Sequence, residues 1–151
     1  MRDAGKWLEE TDRKTSKWWQ LKNLNRKFLF QYANPKEFYA ALIDERPAAA
    51  AILQVSQNAQ DWQSIDKDKP PKALYIHWLC VHRDFRGKNI PKKIVDFAEK
   101  LAKKSGVKLL RADTNAKEMK LRKVYESLGF KLAALEQEGY RKTALYQKRI
   151  V

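Results

Sequence analysis

The segment ALYIHWLCVHRDFRGKNIPKK, residues 73–93, runs from a nearly continuous apolar stretch through a basic loop into an amphipathic helix. The stretch Ala73 to Val81 reads as a central strand covered on both faces, where polar alternation is not needed. After the loop, Ile90, Ile94, Val95, Ala98, Leu101 and Ala102 keep helical spacing until Ser105-Gly106 ends the helix. The connecting piece, VHRDFRGKNIPKK (81–93), therefore joins a strand to a helix N-terminus. Free N–H groups and the helix dipole converge at such a turn and favour an anion. Arg86, Lys88, Lys92 and Lys93 add positive charge, and Gly87 allows close approach of a ligand or a left-handed turn. By itself the motif fits a phosphate-bearing ligand and a well-capped loop with a solvated basic face equally well.

Working outward from this segment gives the fold class. Downstream, Val107 to Leu110 reads as a strand and Ala116 to Leu128 as a helix with Gly129 at its end. Phe130 to Leu135 and Thr143 to Ile150 read as two further strands. Upstream, the chain as far as Thr11 reads as a helix with Ala4, Trp7 and Leu8 on one side. Leu21, Leu24, Phe28, Leu29 and Tyr32 predict a second amphipathic helix closed by Asn34-Pro35. Glu37 to Ile43 and Ala48 to Val55 predict two strands joined by a turn at Asp44 to Pro47, and Gln57 to Pro71 a polar loop. This order is α/β, with a βαβ unit at its centre.

Composition narrows the function classes. A chain of 151 residues fits a single domain over 1–151 with a sizeable core. No run of apolar residues is long enough for a membrane span, and the opening MRDAGKWLEE is not a secretory signal. The one cysteine, Cys80, leaves no intrachain disulfide and no Cys-rich zinc site, so no metal and a cytoplasmic location are expected. The net charge of +14 is uneven: residues 1–70 hold 12 Lys/Arg against 10 Asp/Glu, and residues 71–151 hold 20 against 8. A polyanion, if held, belongs on the second half.

The strand, loop and helix of residues 73–104 resemble motif A of the GNAT N-acetyltransferases, whose pattern is Arg/Gln-x-x-Gly-x-Gly/Ala. Arg86 matches, and Gly87 and Lys88 fit the frequent Arg-Gly-Lys opening. LRADTNAKEMKLRKVYESLGF (110–130) resembles motif B, with its Tyr125-Glu126-x-x-Gly129-Phe130 signature. KWLEE, the Trp18-Trp19 pair, EFYAALIDERP and Asp61-Trp62 resemble a bacterial subgroup of these enzymes. The likeness covers about residues 4–150. It implies the GNAT fold, a mixed α+β architecture with a central mixed β-sheet flanked by about four helices. The chain opens inside or at the family's first helix, so the strand that usually precedes it is expected to be missing, through a late start or a sheet with one strand fewer.

The resemblance also implies a site. Leu79, Cys80 and Val81 would pair with the pantetheine arm of acetyl-CoA, and Arg86, Gly87, Lys88, Asn89, Ile90, Pro91 and Lys92 would hold its pyrophosphate. Three positions depart from the pattern. Asn89 and Pro91 replace the two family glycines, and Glu118 stands where an asparagine commonly contacts the cofactor. Asn tolerates a left-handed turn, and Pro suits a first helical turn. Pro91 nevertheless removes one N–H, and a charge-assisted bond of that kind is worth ~1.5–3 kcal/mol, which predicts weakened rather than abolished binding. A carboxylate at Glu118 is unhelpful beside phosphate unless it points elsewhere or meets Lys88 or Lys120.

Transfer to an amine needs a neutral amine, a polarised thioester carbonyl and a proton for the leaving thiolate. The resemblance assigns carbonyl polarisation to a backbone N–H of Val81 or Leu79 and the acid to Tyr125, which could equally be an ordinary residue of an amphipathic helix. His77 could serve as base or be a hydrogen-bonded core histidine; Glu37 and Asp113 are further candidates, and His82 is expected to structure the loop. Period-two alternation places His77 on a face with Tyr75, Leu79 and Val81. Trp7, Phe38, Tyr39 and Trp62 are expected in the core. Trp18, Trp19 and Trp78 are the acceptor-side candidates, because adjacent helical residues cannot both face one core. The expected activity is acetyl transfer from acetyl-CoA to a primary amine of a small molecule or protein. The alternatives are a GNAT-fold module with weak or lost catalysis and a nucleic-acid-associated domain. The second is disfavoured, because the basic residues lie in helical rows rather than among exposed aromatics. A homodimer is left open.

Overall fold

A computed structural model describes residues 1–11, 16–55 and 62–151. Asp61 and the first part of the predicted 57–71 loop lie outside the described residues. Five α-helices are described: α1 (Arg2–Glu10), α2 (Arg26–Leu29), α3 (Gln63–Asp66), α4 (Ile90–Lys104) and α5 (Met119–Ser127). Six strands accompany them: β1 (Phe38–Ile43), β2 (Arg46–Gln54), β3 (Leu74–Val81), β4 (Leu109–Asn115), β5 (Lys131–Glu138) and β6 (Arg141–Arg149). They form one mixed sheet in the order β1-β2-β3-β4-β6-β5. β3 and β4 run parallel, with Leu74, Tyr75 and Ile76 opposite Leu110, Arg111 and Ala112. The predicted βαβ unit is thus present. No helix among the described residues is long and apolar enough to cross a membrane.

The chain divides into two compact units. The first comprises Met1–Ile52 and Trp78–Ile94. Its β1–β2 hairpin turns through Asp44 and Glu45, both at positive φ (49° and 62°), as a two-residue turn matched to strand twist requires. The predicted helix from Leu21 to Tyr32 is broken. A 3₁₀ turn covers Leu21–Asn23, and Asn25 then restarts the chain as the cap of the four-residue α2, its side chain accepting from the Phe28 N–H. The apolar spacing is right, but an asparagine that bonds the backbone ahead of it competes with a continuous helix. Gly5 of α1 marks a close approach. A Cβ there would lie 2.6 Å from Leu24 Cδ1 and 2.8 Å from the Trp19 carbonyl oxygen. Gly5→Ala is therefore expected to destabilise the chain by ~1–2 kcal/mol in urea denaturation, despite alanine's better helix propensity, because a backbone oxygen cannot swing aside.

The second unit comprises Leu53–His77 and Val95–Val151. Trp62, Ala73, Tyr75 and Leu145 pack together in its core. Arg111 of β4 is buried with them, its guanidinium 4.2 Å from the centre of the Trp62 ring. Two 2.6 Å hydrogen bonds join it to both carboxylate oxygens of Asp66 on α3. The strand predicted at Val107 to Leu110 is displaced to Leu109–Asn115, and α5 starts only at Met119. The reason is pairing with β6: Asn115 lies opposite Thr143, and Ala116 N–H bonds the Lys142 carbonyl. Gly129, at φ 86°, closes α5, and Phe130 N–H returns to the Tyr125 carbonyl at 3.1 Å.

Candidate functional site

In the first unit the predicted anion loop starts at the end of β3. Trp78 sits at φ 48°, an uncommon conformation for a bulky residue within a strand. Leu79, Cys80 and Val81 are half-buried, and the Cys80 thiol lies 3.7 Å from the Ala50 carbonyl. Burial pushes that thiol up, which keeps it protonated and unreactive. His82 N–H then bonds the Ala48 carbonyl at 2.8 Å, and His82 Nδ1 accepts from the Asp84 N–H, capping a 3₁₀ turn over Arg83–Phe85. His82 structures the loop, as predicted.

The turn is anchored from below and open above. Phe85 is buried, with the Arg46 guanidinium 5.1 Å and Lys88 Nζ 5.3 Å from its ring centre. Arg86, Gly87, Lys88 and Asn89 are exposed, and Ile90 is buried as the first residue of α4. Gly87 and Asn89 take positive φ, 76° and 53°, with Lys88 between them at negative φ. Asn89 thus keeps the left-handed turn predicted for it. A turn whose φ changes sign from residue to residue can aim successive N–H groups into one concavity that suits an anion. Among the described residues, the N–H groups of Gly87, Lys88, Asn89 and Ile90 donate to no protein acceptor. Beyond its two chain neighbours, nothing among the described residues lies within 4 Å of where a Cβ on Gly87 would stand. Pro91 is the second residue of the fifteen-residue α4, where a missing N–H breaks no helical bond, and Lys92 is exposed on the same turn. The cradle fits a phosphate group, and Pro91 is its one gap.

Helix α1 borders this loop. Asp3 accepts from the Arg83 N–H at 3.1 Å and from Arg83 Nε at 2.8 Å, and Glu10 accepts from Arg83 Nη1 at 3.1 Å. The Arg86 guanidinium lies 5.4 Å from the Trp7 ring centre. Burial alone would raise the Asp3 carboxyl, but the Arg83 hydrogen bonds and the charges of His82 and Arg83 outweigh it and hold it low. No sequence pattern announced Asp3, Glu10 or Arg83.

The aromatic candidates part company. Trp18 and Trp78 meet edge to face at 5.8 Å, and Trp78 Nε1 donates to the Trp18 carbonyl at 3.1 Å. Phe28 and Tyr32 complete the cluster around Trp18. Trp19 makes no ring contact with it among the described residues, since consecutive residues of the 3₁₀ turn Lys17–Trp19 point in different directions. Glu37 is committed elsewhere: its carboxylate accepts from the Asn34 N–H at 2.7 Å in a capping box.

The second unit holds His77, Glu118 and Tyr125. The rings of Tyr75 and His77 are stacked, 6.2 Å apart and 3° from parallel. His77 Nδ1 lies 3.6 Å from Asp113 Oδ1, and Asp113 Oδ2 lies 3.6 Å from Arg141 Nη2. Tyr125 is buried, packed against Phe130 and Tyr146. Burial, reinforced by the negative charge of Asp113, pushes its phenol far above the ordinary tyrosine range. Its hydroxyl has no hydrogen-bond partner among the described residues. Glu118 is half-buried at the start of α5, its carbonyl accepting from the Arg122 N–H at 3.0 Å. This unit therefore gathers His77 and Arg141 around the Asp113 carboxylate, whose charge reaches Tyr125; no sequence pattern announces Arg141.

The acetyltransferase (GNAT) family profile matches residues 4–130. A GNAT-family acetyltransferase from Listeria monocytogenes 4b F2365 is similar in structure, with a TM-score of 0.72 and 24% identity over 98% of this chain and 84% of that one. A Bacillus subtilis acetyltransferase in complex with CoA gives a TM-score of 0.63 at 16% identity, covering 84% and 85% of the two chains. The ribosomal-protein-S18-alanine N-acetyltransferase of Escherichia coli gives 0.59 at 18% identity, covering 78% and 72%. A sequence search of the curated proteins gives no significant match.

Proposed function

Because the chain belongs to the GNAT acetyltransferase family, we propose that it transfers an acetyl group from acetyl-CoA to the primary amine of a small-molecule or protein acceptor. The observation that carries this reading is the open cradle of N–H groups at Gly87, Lys88, Asn89 and Ile90, flanked by Arg86 and Lys88. The CoA-bound B. subtilis structure, of like fold, supports it. In this reading the four N–H groups and Arg86, Lys88 and Lys92 hold the pyrophosphate, and Leu79, Cys80 and Val81 line the arm.

Acetyl-CoA, when bound, supplies an activated thioester. With it bound, His77, beside Asp113, would take the proton of the incoming ammonium, and a backbone N–H of Val81 or Leu79 would stabilise charge on the carbonyl oxygen. Tyr125 would supply the proton that the leaving thiolate needs. Trp18 and Trp78 offer the acceptor a partly exposed aromatic wall, and a cationic amine gains there from the ring faces.

Isothermal calorimetry with CoA tests the cradle. Arg86→Gln is expected to weaken binding about tenfold, as loss of one charge-assisted contact does. No heat of binding from the wild-type chain at millimolar CoA would sink the reading. It would favour a GNAT-fold module without catalysis, the alternative that the missing N–H of Pro91 keeps in view.

A further inference from the structure

We propose that α1 is a positioning element for the anion cradle, with Asp3, Trp7 and Glu10 as the positioning residues; this rests on reading the 86–92 loop as the pyrophosphate site. The three side chains stand at offsets of 0, 4 and 7, one face of a helix. Each meets the loop. Asp3 takes both the backbone N–H and Nε of Arg83, and its own carbonyl accepts from Arg83 Nη2 at 3.4 Å. Glu10 takes Nη1, and Trp7 lies under the Arg86 guanidinium. On the other flank, Arg46 Nη2 donates to Asp84 Oδ2 at 3.2 Å, and His82 N–H is tied to Ala48. The loop is thus held on both sides, whereas Gly87 and Asn89 between the supports are left open.

Two carboxylates on Arg83 take that cation out of play as a phosphate ligand and convert it into a strut. A cradle held in its binding geometry loses less freedom when the ligand arrives. Charge and geometry therefore make opposite claims about Asp3. By charge alone, neutralising an acid near an anion site strengthens binding. If Asp3 acts by position, the same change weakens it.

Calorimetry of the full-length chain with CoA separates the two. Asp3→Asn is expected to raise the CoA Kd about tenfold, Asp3→Glu to recover most of the loss, and Glu10→Gln to show a smaller weakening. Glu9→Gln removes a negative charge from the same helix without touching the loop and is expected to leave the Kd unchanged or slightly lower. Unchanged or tighter binding in Asp3→Asn, with wild-type binding intact, overturns the proposal while leaving the site reading standing. A loss shared by Asp3→Glu and matched by a lower thermal midpoint is a folding defect and also overturns it. Absence of wild-type binding removes the site reading, and the proposal with it.

Discussion

Arg111→Met is expected to destabilise the folded chain by ~3–5 kcal/mol, because it leaves the Asp66 carboxylate buried without its partner. The side chains of Arg111 and Asp66 are only 2% and 5% exposed, so water cannot take over. The bidentate geometry and the Tyr75 hydroxyl, 3.3 Å from Arg111 Nη1, add bonds that lysine cannot reproduce. For a chain of this size ~1 kcal/mol corresponds to about 2–4 °C, so the thermal midpoint should fall by roughly 6–20 °C. The double variant Arg111→Met/Asp66→Leu removes both charges and is expected to return near wild-type stability, since a buried pair repays little beyond its own desolvation. A double variant as unstable as the single one would mean that shape, not charge, makes Arg111 necessary. Arg111 Nε, buried without a hydrogen-bond partner among the described residues, shows that the arrangement is not fully satisfied there.

Tyr125→Phe carries the second large effect. Turnover with a competent amine is expected to fall about 10²–10³-fold while the CoA Kd stays within twofold, since a general acid acts in the transition state and not in binding. The tertiary environment alters what the motif alone suggests. A free phenol ionises near pH 10, close enough to a thiol to trade protons readily. Burial and Asp113 hold the Tyr125 proton much more tightly, so the hydroxyl remains a donor at every working pH. The alkaline limb of the rate profile should therefore show no loss at the ordinary tyrosine pKa. Stability behaves differently. Above about pH 10 the unfolded phenol releases its proton and the folded one does not, so stability falls as pH rises through that region. Full turnover in Tyr125→Phe would remove it from the mechanism. His77→Ala, assayed alongside, should lose its largest factor at low pH, where the acceptor most needs a base.

Elements whose cause is local were legible in the sequence. The apolar run of β3, the helical spacing of α4 and the Gly129 stop of α5 follow from periodicity and backbone freedom, which neighbouring residues set among themselves. The left-handed turns at Gly87 and Asn89 belong to the same class. So does the family, carried by three motifs in order. The exception is instructive. Residues 21–32 have helical spacing, yet Asn25 splits them, because a side-chain cap outbids propensity over so short a stretch.

The tertiary structure decided what depends on partners far apart in the chain. Asp3 finds Arg83 across 80 residues, Asp66 finds Arg111 across 45, and His77 meets Asp113 on the neighbouring strand. A single charged residue in a sequence has no signature of the partner that will neutralise it, since burial and pairing are properties of the packed chain. From residues 86–92 alone comes an anion loop short of one N–H. Only the fold makes Arg83 a strut, turns Tyr125 into a tightly held donor, and leaves the cradle open.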